Sequence, residues 1–115
     1  MSYNITVVDT FKKELKALFK RYKGIKQDYK KVLELLSSSN PKDIAIHLGN
    51  NCYKIRIKNS DNNKGKSAGY RVIYLIIEDE QEIVLLSIYS KSDTENISEE
   101  SIDKKIIEVI DGFKL

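Results

Sequence analysis

Between Cys52 and Lys58 the chain reads CYKIRIK. Side chains alternate across an extended strand, so Tyr53, Ile55 and Ile57 point one way while Lys54, Arg56 and Lys58 point the other. Three cations on one sheet face repel one another unless carboxylates or a polyanion sit opposite. Lys64 and Lys66 precede a second strand that opens on Arg71, and a later apolar run sets Ser87, Tyr89 and Lys91 on a common face by the same alternation. If these faces coincide, one concave surface holds Lys54, Arg56, Lys66, Arg71, Tyr89 and Lys91. Cations around an aromatic ring suit a phosphodiester backbone and a base to stack. Plainer roles compete: alternating lysines also keep an edge strand from aggregating. Arg71 can serve as an ion-paired strand residue, Tyr89 as a packed one and Lys64 as a loop solubiliser.

The rest of the composition narrows the chemistry by exclusion. Cys52 is the only cysteine and His47 the only histidine. A single chain of this kind builds no internal disulfide and no thiolate metal cluster, and it excludes a two-histidine ribonuclease, a Cys/His zinc finger and a zinc deaminase. A His-based triad would rest on His47 alone, and His47, between Ile46 and Leu48, reads as structural, just as Cys52 reads as a core residue. The net charge of +3 is mild, but its distribution is uneven. Residues 1–41 and 42–71 each carry a net +5, and residues 72–115 carry −7. A polyanion is drawn to the first two segments if they share a face, unless the acidic third neutralises them.

The elements that must position these residues are legible from periodicity. At 115 residues with 41% hydrophobic and 32% charged side chains, one Pro and five Gly, the chain is long enough for one core and reads as a single domain over 1–115. Tyr3 to Val8 is a β-branched strand, and Asp9 or Thr10 offers a helix N-cap. Phe11, Leu15, Leu18, Phe19 and Tyr22 then recur at helical spacing, with Gly24 placed to end that helix in the left-handed region. Ile25, Tyr29, Val32, Leu33 and Leu36 form a second helix that stops at Ser37-Ser38-Ser39-Asn40-Pro41. Asp43 to Leu48 is a weak strand signal, whereas Cys52 to Lys58, Tyr70 to Ile77 and Ile83 to Tyr89 are strong ones. The link 59–69 reads as a hairpin loop with a mobile tip, and Glu78 to Glu82 as an acidic turn. A final helix has Ser98 as N-cap, Glu99 and Glu100 in its first turn, Ile97 and Ile102 as a hydrophobic staple, and Gly112 after its end. This order implies an α+β fold: a small antiparallel sheet of three to five strands, with an N-terminal helical hairpin and a C-terminal helix, the helices packed on one face. No apolar run approaches the roughly 20 residues that cross a bilayer, and no leader pattern opens the sequence, so a cytoplasmic location is expected.

The segments CYKIRI at 52–57, GKSAGYRVIY at 65–74 and LSIYSKSD at 86–93 together resemble the RelE/ParE superfamily of bacterial toxin–antitoxin systems, above all its RelE/HigB-like branch. The resemblance spans nearly the whole chain, and its most specific part is GKSAGYRVIY followed by YSKSD. It implies a toxin that is a ribosome-dependent endoribonuclease, cutting messenger RNA in the A site by attack of a 2′-hydroxyl on the adjacent phosphate. Position by position it assigns Lys54 near the attacking hydroxyl as a base candidate, and Arg56 and Lys66 as phosphate holders. Arg71 of the GYR motif would stabilise transition-state charge, and Lys91 would stabilise or protonate the leaving oxygen. Lys58 and Lys64 extend the RNA-binding surface. A tyrosine that some members carry after the last basic position falls here near Ile97, so base stacking is absent or passes to Tyr89. The implied partners are a cognate antitoxin, the ribosome and its mRNA, with no cofactor, metal or membrane. The alternative within the superfamily is a ParE-like gyrase inhibitor, and a third reading is an inert homologue that binds only antitoxin or RNA.

Overall fold

The computed structural model describes residues 3–61, 68–93 and 97–113. Lys64 and Lys66, and with them the tip of the 59–69 loop, lie outside the described residues. The elements follow in the order β1 (Asn4–Val7), α1 (Asp9–Arg21), α2 (Ile25–Ser38), β2 (Ile46–Gly49), β3 (Cys52–Ile57), β4 (Tyr70–Ile77), β5 (Glu82–Ser90) and α3 (Glu99–Phe113). Five strands form one sheet in the order β1-β5-β4-β3-β2. The pairs β2–β3, β3–β4 and β4–β5 are antiparallel, as short connections demand. The sheet as a whole is mixed rather than antiparallel, because β1 pairs parallel with β5. Those two strands are distant in sequence, and the α1–α2 hairpin supplies the long crossover that carries the chain from one sheet edge to the other.

Helices cover both faces, contrary to the one-sided packing that element order suggests. Phe11 and Leu18 of α1 and Ile25, Val32 and Leu36 of α2 pack on Ile55, Val72, Tyr74, Leu85 and Ile88. Val109 of α3, with Ile97, Ile102 and Ile106, packs on the opposite face, against Cys52, Ile73, Leu75, Val84 and Leu86. Central strand β4 is therefore apolar nearly throughout and buried on both sides, while β3 alternates because only part of its second face is covered.

Several termini differ from expectation. Val8 rather than Asp9 or Thr10 precedes α1 and gives no side-chain cap; the strand runs directly into the helix. Gly24 is not left-handed (φ −82°) but opens α2, where a Cβ would come within 2.2 Å of Ser60 Oγ. Gly112 lies inside α3 rather than after it. Ser98 does cap α3, its Oγ accepting from the Ser101 amide at 3.2 Å, and Ile97 and Ile102 both join the core beneath that helix.

Candidate nucleic-acid interface

The face under α3 is ordered in rungs that run across β3, β4 and β5. Cys52, Leu75 and Val84 form one, Lys54, Ile73 and Ser87 the next, and Arg56, Arg71 and Tyr89 the last. The alternation of β3 thus places Lys54 and Arg56 together, and Arg71 stands directly opposite Arg56 in the register. Tyr89 reaches this face through an irregularity that sequence reasoning missed. Ile73 pairs with Ser87 but Tyr74 pairs with Leu85, so Leu86 is an extra residue in β5. Ile83 and Leu85 point into the core under α1 and α2, and unbroken alternation would send Tyr89 there too. The bulge reverses the phase and puts Tyr89 on the α3 side beside Arg71. No glycine or proline marks it, which is why the sequence gives no signal.

Lys91 follows the end of β5 and is fixed by its backbone, whose N–H donates to the Gly69 carbonyl at 2.9 Å. Gly69 is packed so closely on the Ile57 carbonyl that a Cβ would lie 1.9 Å from the oxygen, so only glycine permits this junction of β3, β4 and the Lys91 turn. Arg21 of α1 pairs with Asp93 at 2.6 Å and ties the same turn to the helical hairpin. At the start of the 59–69 loop the buried carboxylate of Asp28 accepts from the Ser60 amide and hydroxyl at 3.0 and 3.1 Å, and Asp61 accepts from the Gly24 amide at 2.9 Å. Both described ends of the loop are therefore anchored.

Electrostatics follow from this convergence. Partial burial, then the charges of Arg71, Lys91 and Arg56, push the Lys54 ammonium below its ordinary value. Arg71 is only 4% exposed, and its Nη1 donates to the Tyr70 carbonyl at 3.2 Å. Burial and Arg56 lower its pKa, against an opposing pull from Tyr89, but a guanidinium stays charged at any working pH. Burial raises the Tyr89 phenol, opposed by the Ile97 backbone amide and Arg71. Arg56 and Lys58 are exposed, and Lys91 is half-buried.

Two expected members of the surface stand differently. Ser87 is buried and donates to the Glu14 carboxylate at 3.1 Å, so it contributes nothing to the open face. Tyr89 is 8% exposed, packed beside the start of α3 rather than displayed as a stacking platform. His47, exposed at the far sheet edge, stacks on Tyr53 with ring centroids 4.8 Å apart, and Cys52 is buried with its thiol pushed up to about 11. Among the described residues no three His, Cys, Asp or Glu side chains gather as a metal site, and no helix is long and apolar enough to cross a membrane.

This architecture, a helical hairpin on one face of a five-stranded mixed sheet and a C-terminal helix on the other, is the RelE-like α+β fold. A double arginine-to-alanine mutant of the E. coli RelE toxin in the free state superposes with a TM-score of 0.61 at 21% identity, over 95% of this chain and 99% of that one. The toxin in the intact E. coli RelBE toxin–antitoxin complex matches with a TM-score of 0.52 at 25% identity, over 76% of this chain and 94% of that one. The same E. coli mutant in complex with a RelB peptide gives a TM-score of 0.52 at 22% identity, over 90% and 94% of the two chains. Residues 8–110 match the family described as the RelE toxin of the RelE/RelB toxin–antitoxin system. The chain belongs to that family. No curated protein gives a significant match.

Proposed function

We propose that this toxin is a ribosome-dependent endoribonuclease that cleaves messenger RNA in the A site, with Lys54, Arg56, Arg71 and Lys91 as its catalytic set. The observation that carries the reading is the register that brings Lys54, Arg56 and Arg71 together on one sheet face, where partial burial and the like charges of Arg71, Lys91 and Arg56 lower the Lys54 pKa. A lysine serves as a base only in its neutral form, and partial burial among like charges favours that form. Neutral Lys54 takes the proton of the 2′-hydroxyl as its oxygen attacks the adjacent phosphorus. Arg71, fixed by burial and the Tyr70 carbonyl, holds charge developing on the equatorial oxygens, and Arg56 beside it grips the phosphate. Lys91 delivers a proton to the departing 5′-oxygen, leaving a 2′,3′-cyclic phosphate and a 5′-hydroxyl. Lys58, Lys64 and Lys66 bind the RNA backbone on either side, and Tyr89 flanks the set from β5 beside Arg71.

A cognate antitoxin holds this activity in check; relatives of the same fold have been crystallised with RelB or a RelB peptide. The test is primer extension on a reporter mRNA in cell-free translation, with ribosomes present or absent. Cuts at codon-spaced positions only when ribosomes translate are the expected result. Absence of cuts in both arms overturns the nuclease and directs the next assay to DNA supercoiling.

A further inference from the structure

Helices on both sides of the sheet give the uneven charge of the sequence a direction in space. On one side, Lys12, Lys16, Phe19 and Lys20 of α1 recur at helical spacing and turn away from the Phe11 and Leu18 face that meets the sheet. All four are exposed, Phe19 by 52%, and Lys13 lies beside them. Among the described residues Lys13, Lys16 and Lys20 have no ion-pair partner, and Lys12 has only Asp9 at 4.0 Å. On the other side, an open groove of about 830 Å³ runs between α3 and the turn that joins β4 to β5. Ile77, Ile107 and Ile110 line it, the last two exposed by 58% and 42%, and Asp79, Glu80 and Asp103 stand at its rim. Lys42 holds Glu78, a fourth carboxylate of the groove, but the other three have no ion pair among the described residues.

Exposed large apolar side chains grouped in this way mark contact surfaces, and charge decides which surfaces can meet. A two-fold pairing of groove on groove sets Asp79, Glu80 and Asp103 against their own copies, and a pairing of α1 on α1 does the same with the lysines. Both are repulsive. The lysine stripe laid against the groove instead pairs opposite charges and brings Phe19 to Ile107 and Ile110. The two halves of that contact lie on opposite sides of one sheet, so a molecule cannot close it on itself and needs a second copy.

We propose that copies of this chain stack head to tail, with the α1 lysine stripe and Phe19 of one seated in the α3 groove of the next. The contact is heterologous, so every added copy leaves one stripe and one groove open, and assembly grows with concentration instead of stopping at a dimer. The lysines steer the two surfaces together and fix their polarity, while burial of Phe19 with Ile107 and Ile110 supplies the apolar contribution. This self-association is independent of the ribonuclease reading, because none of its residues belongs to the cationic rung.

Analytical ultracentrifugation of the full chain tests it. The weight-average mass should rise without a plateau as concentration increases, and fall back toward the monomer as salt shortens the screening length from about 10 Å to about 3 Å. Two variants each disable one surface at exposed positions: Lys16→Gln, Phe19→Gln and Lys20→Gln together on α1, and Asp103→Lys with Ile107→Lys in the groove. Each alone should self-associate about tenfold or more weakly, with its helical circular dichroism retained. Mixed, the two should form a one-to-one complex and stop there, since only one competent stripe and one competent groove remain. A wild-type chain that stays monomeric, a mass that levels at two copies, or a variant that associates like wild type overturns the proposal, and so does a mixture that forms no complex. A monomeric wild type whose capture of a RelB-type antitoxin is lost only in the groove variant also overturns it, and assigns the groove to that partner.

Discussion

One sheet face carries two different surfaces within three rungs. The Cys52–Leu75–Val84 rung is apolar and lies beneath α3, whereas the Arg56–Arg71–Tyr89 rung sets two arginines opposite each other in the register at the edge of that cover, with Arg56 exposed and Arg71 and Tyr89 buried. The strands, the pleat and the neighbours across the sheet are the same; only the helix differs. Under α3, removal of apolar area from water stabilises the fold. At its edge, like charges on adjacent strands oppose the fold. The Lys54–Ile73–Ser87 rung between them is mixed.

The largest effect expected from breaking this contrast is on the cationic side. Arg71→Ala should lower ribosome-dependent cleavage by about two to three orders of magnitude, the usual cost of one preorganised donor to transition-state charge, with the chain still folded by circular dichroism. The same variant sharpens the assignment of the base. Activity through a neutral lysine rises with pH across the Lys54 pKa, which lies below the ordinary lysine value largely through burial and Arg71. Removing Arg71 lets that pKa climb, so the acid limb of the pH–rate profile should move to higher pH. An unmoved limb would remove Lys54 from the role.

On the covered side, Leu86→Ala deletes a fully buried side chain and should cost about 2–4 kcal/mol in urea denaturation, with residual activity tracking the folded fraction. Glu14→Gln tests how α3 is fastened. Glu14 accepts from Ser87 and pairs with Lys105 at 3.3 Å, and Lys105 also donates to the Leu86 carbonyl at 3.2 Å. With Glu14 about one-third exposed, the loss should be about 1 kcal/mol, seen as faster amide exchange along α3. Smallest is Lys54→Met, which relieves repulsion from Arg56, Arg71 and Lys91. It should stabilise the chain by a few tenths of a kcal/mol, roughly the scale of an adjacent like-charge pair, less so at high salt.

Much of the site was legible because alternation is local. The CYKIRIK pattern assigned Lys54 and Arg56 to one face and Tyr53, Ile55 and Ile57 to the core, and the apolar run 70–77 coincides with β4. Motif resemblance supplied the family. Neither source revealed that Ser87 is engaged by Glu14, that Asp28 anchors the start of the 59–69 loop, or that Tyr89 is covered. Each of those depends on a residue more than 30 positions away or on a helix from another part of the chain.

The sequence by itself determined the periodicities, and hence the elements, the cationic face of β3 and the membership of Arg71 in the same family motif. Tertiary structure decided the parallel pairing of β1 with β5, the placement of helices on opposite faces, and the bulge at Leu86 that turns Tyr89 toward Arg71. The physical reason is that strand and helix periods follow from neighbouring side chains. Which surface an element covers is set by competition among all apolar faces for burial, and that competition can shift a strand by one residue at little local cost.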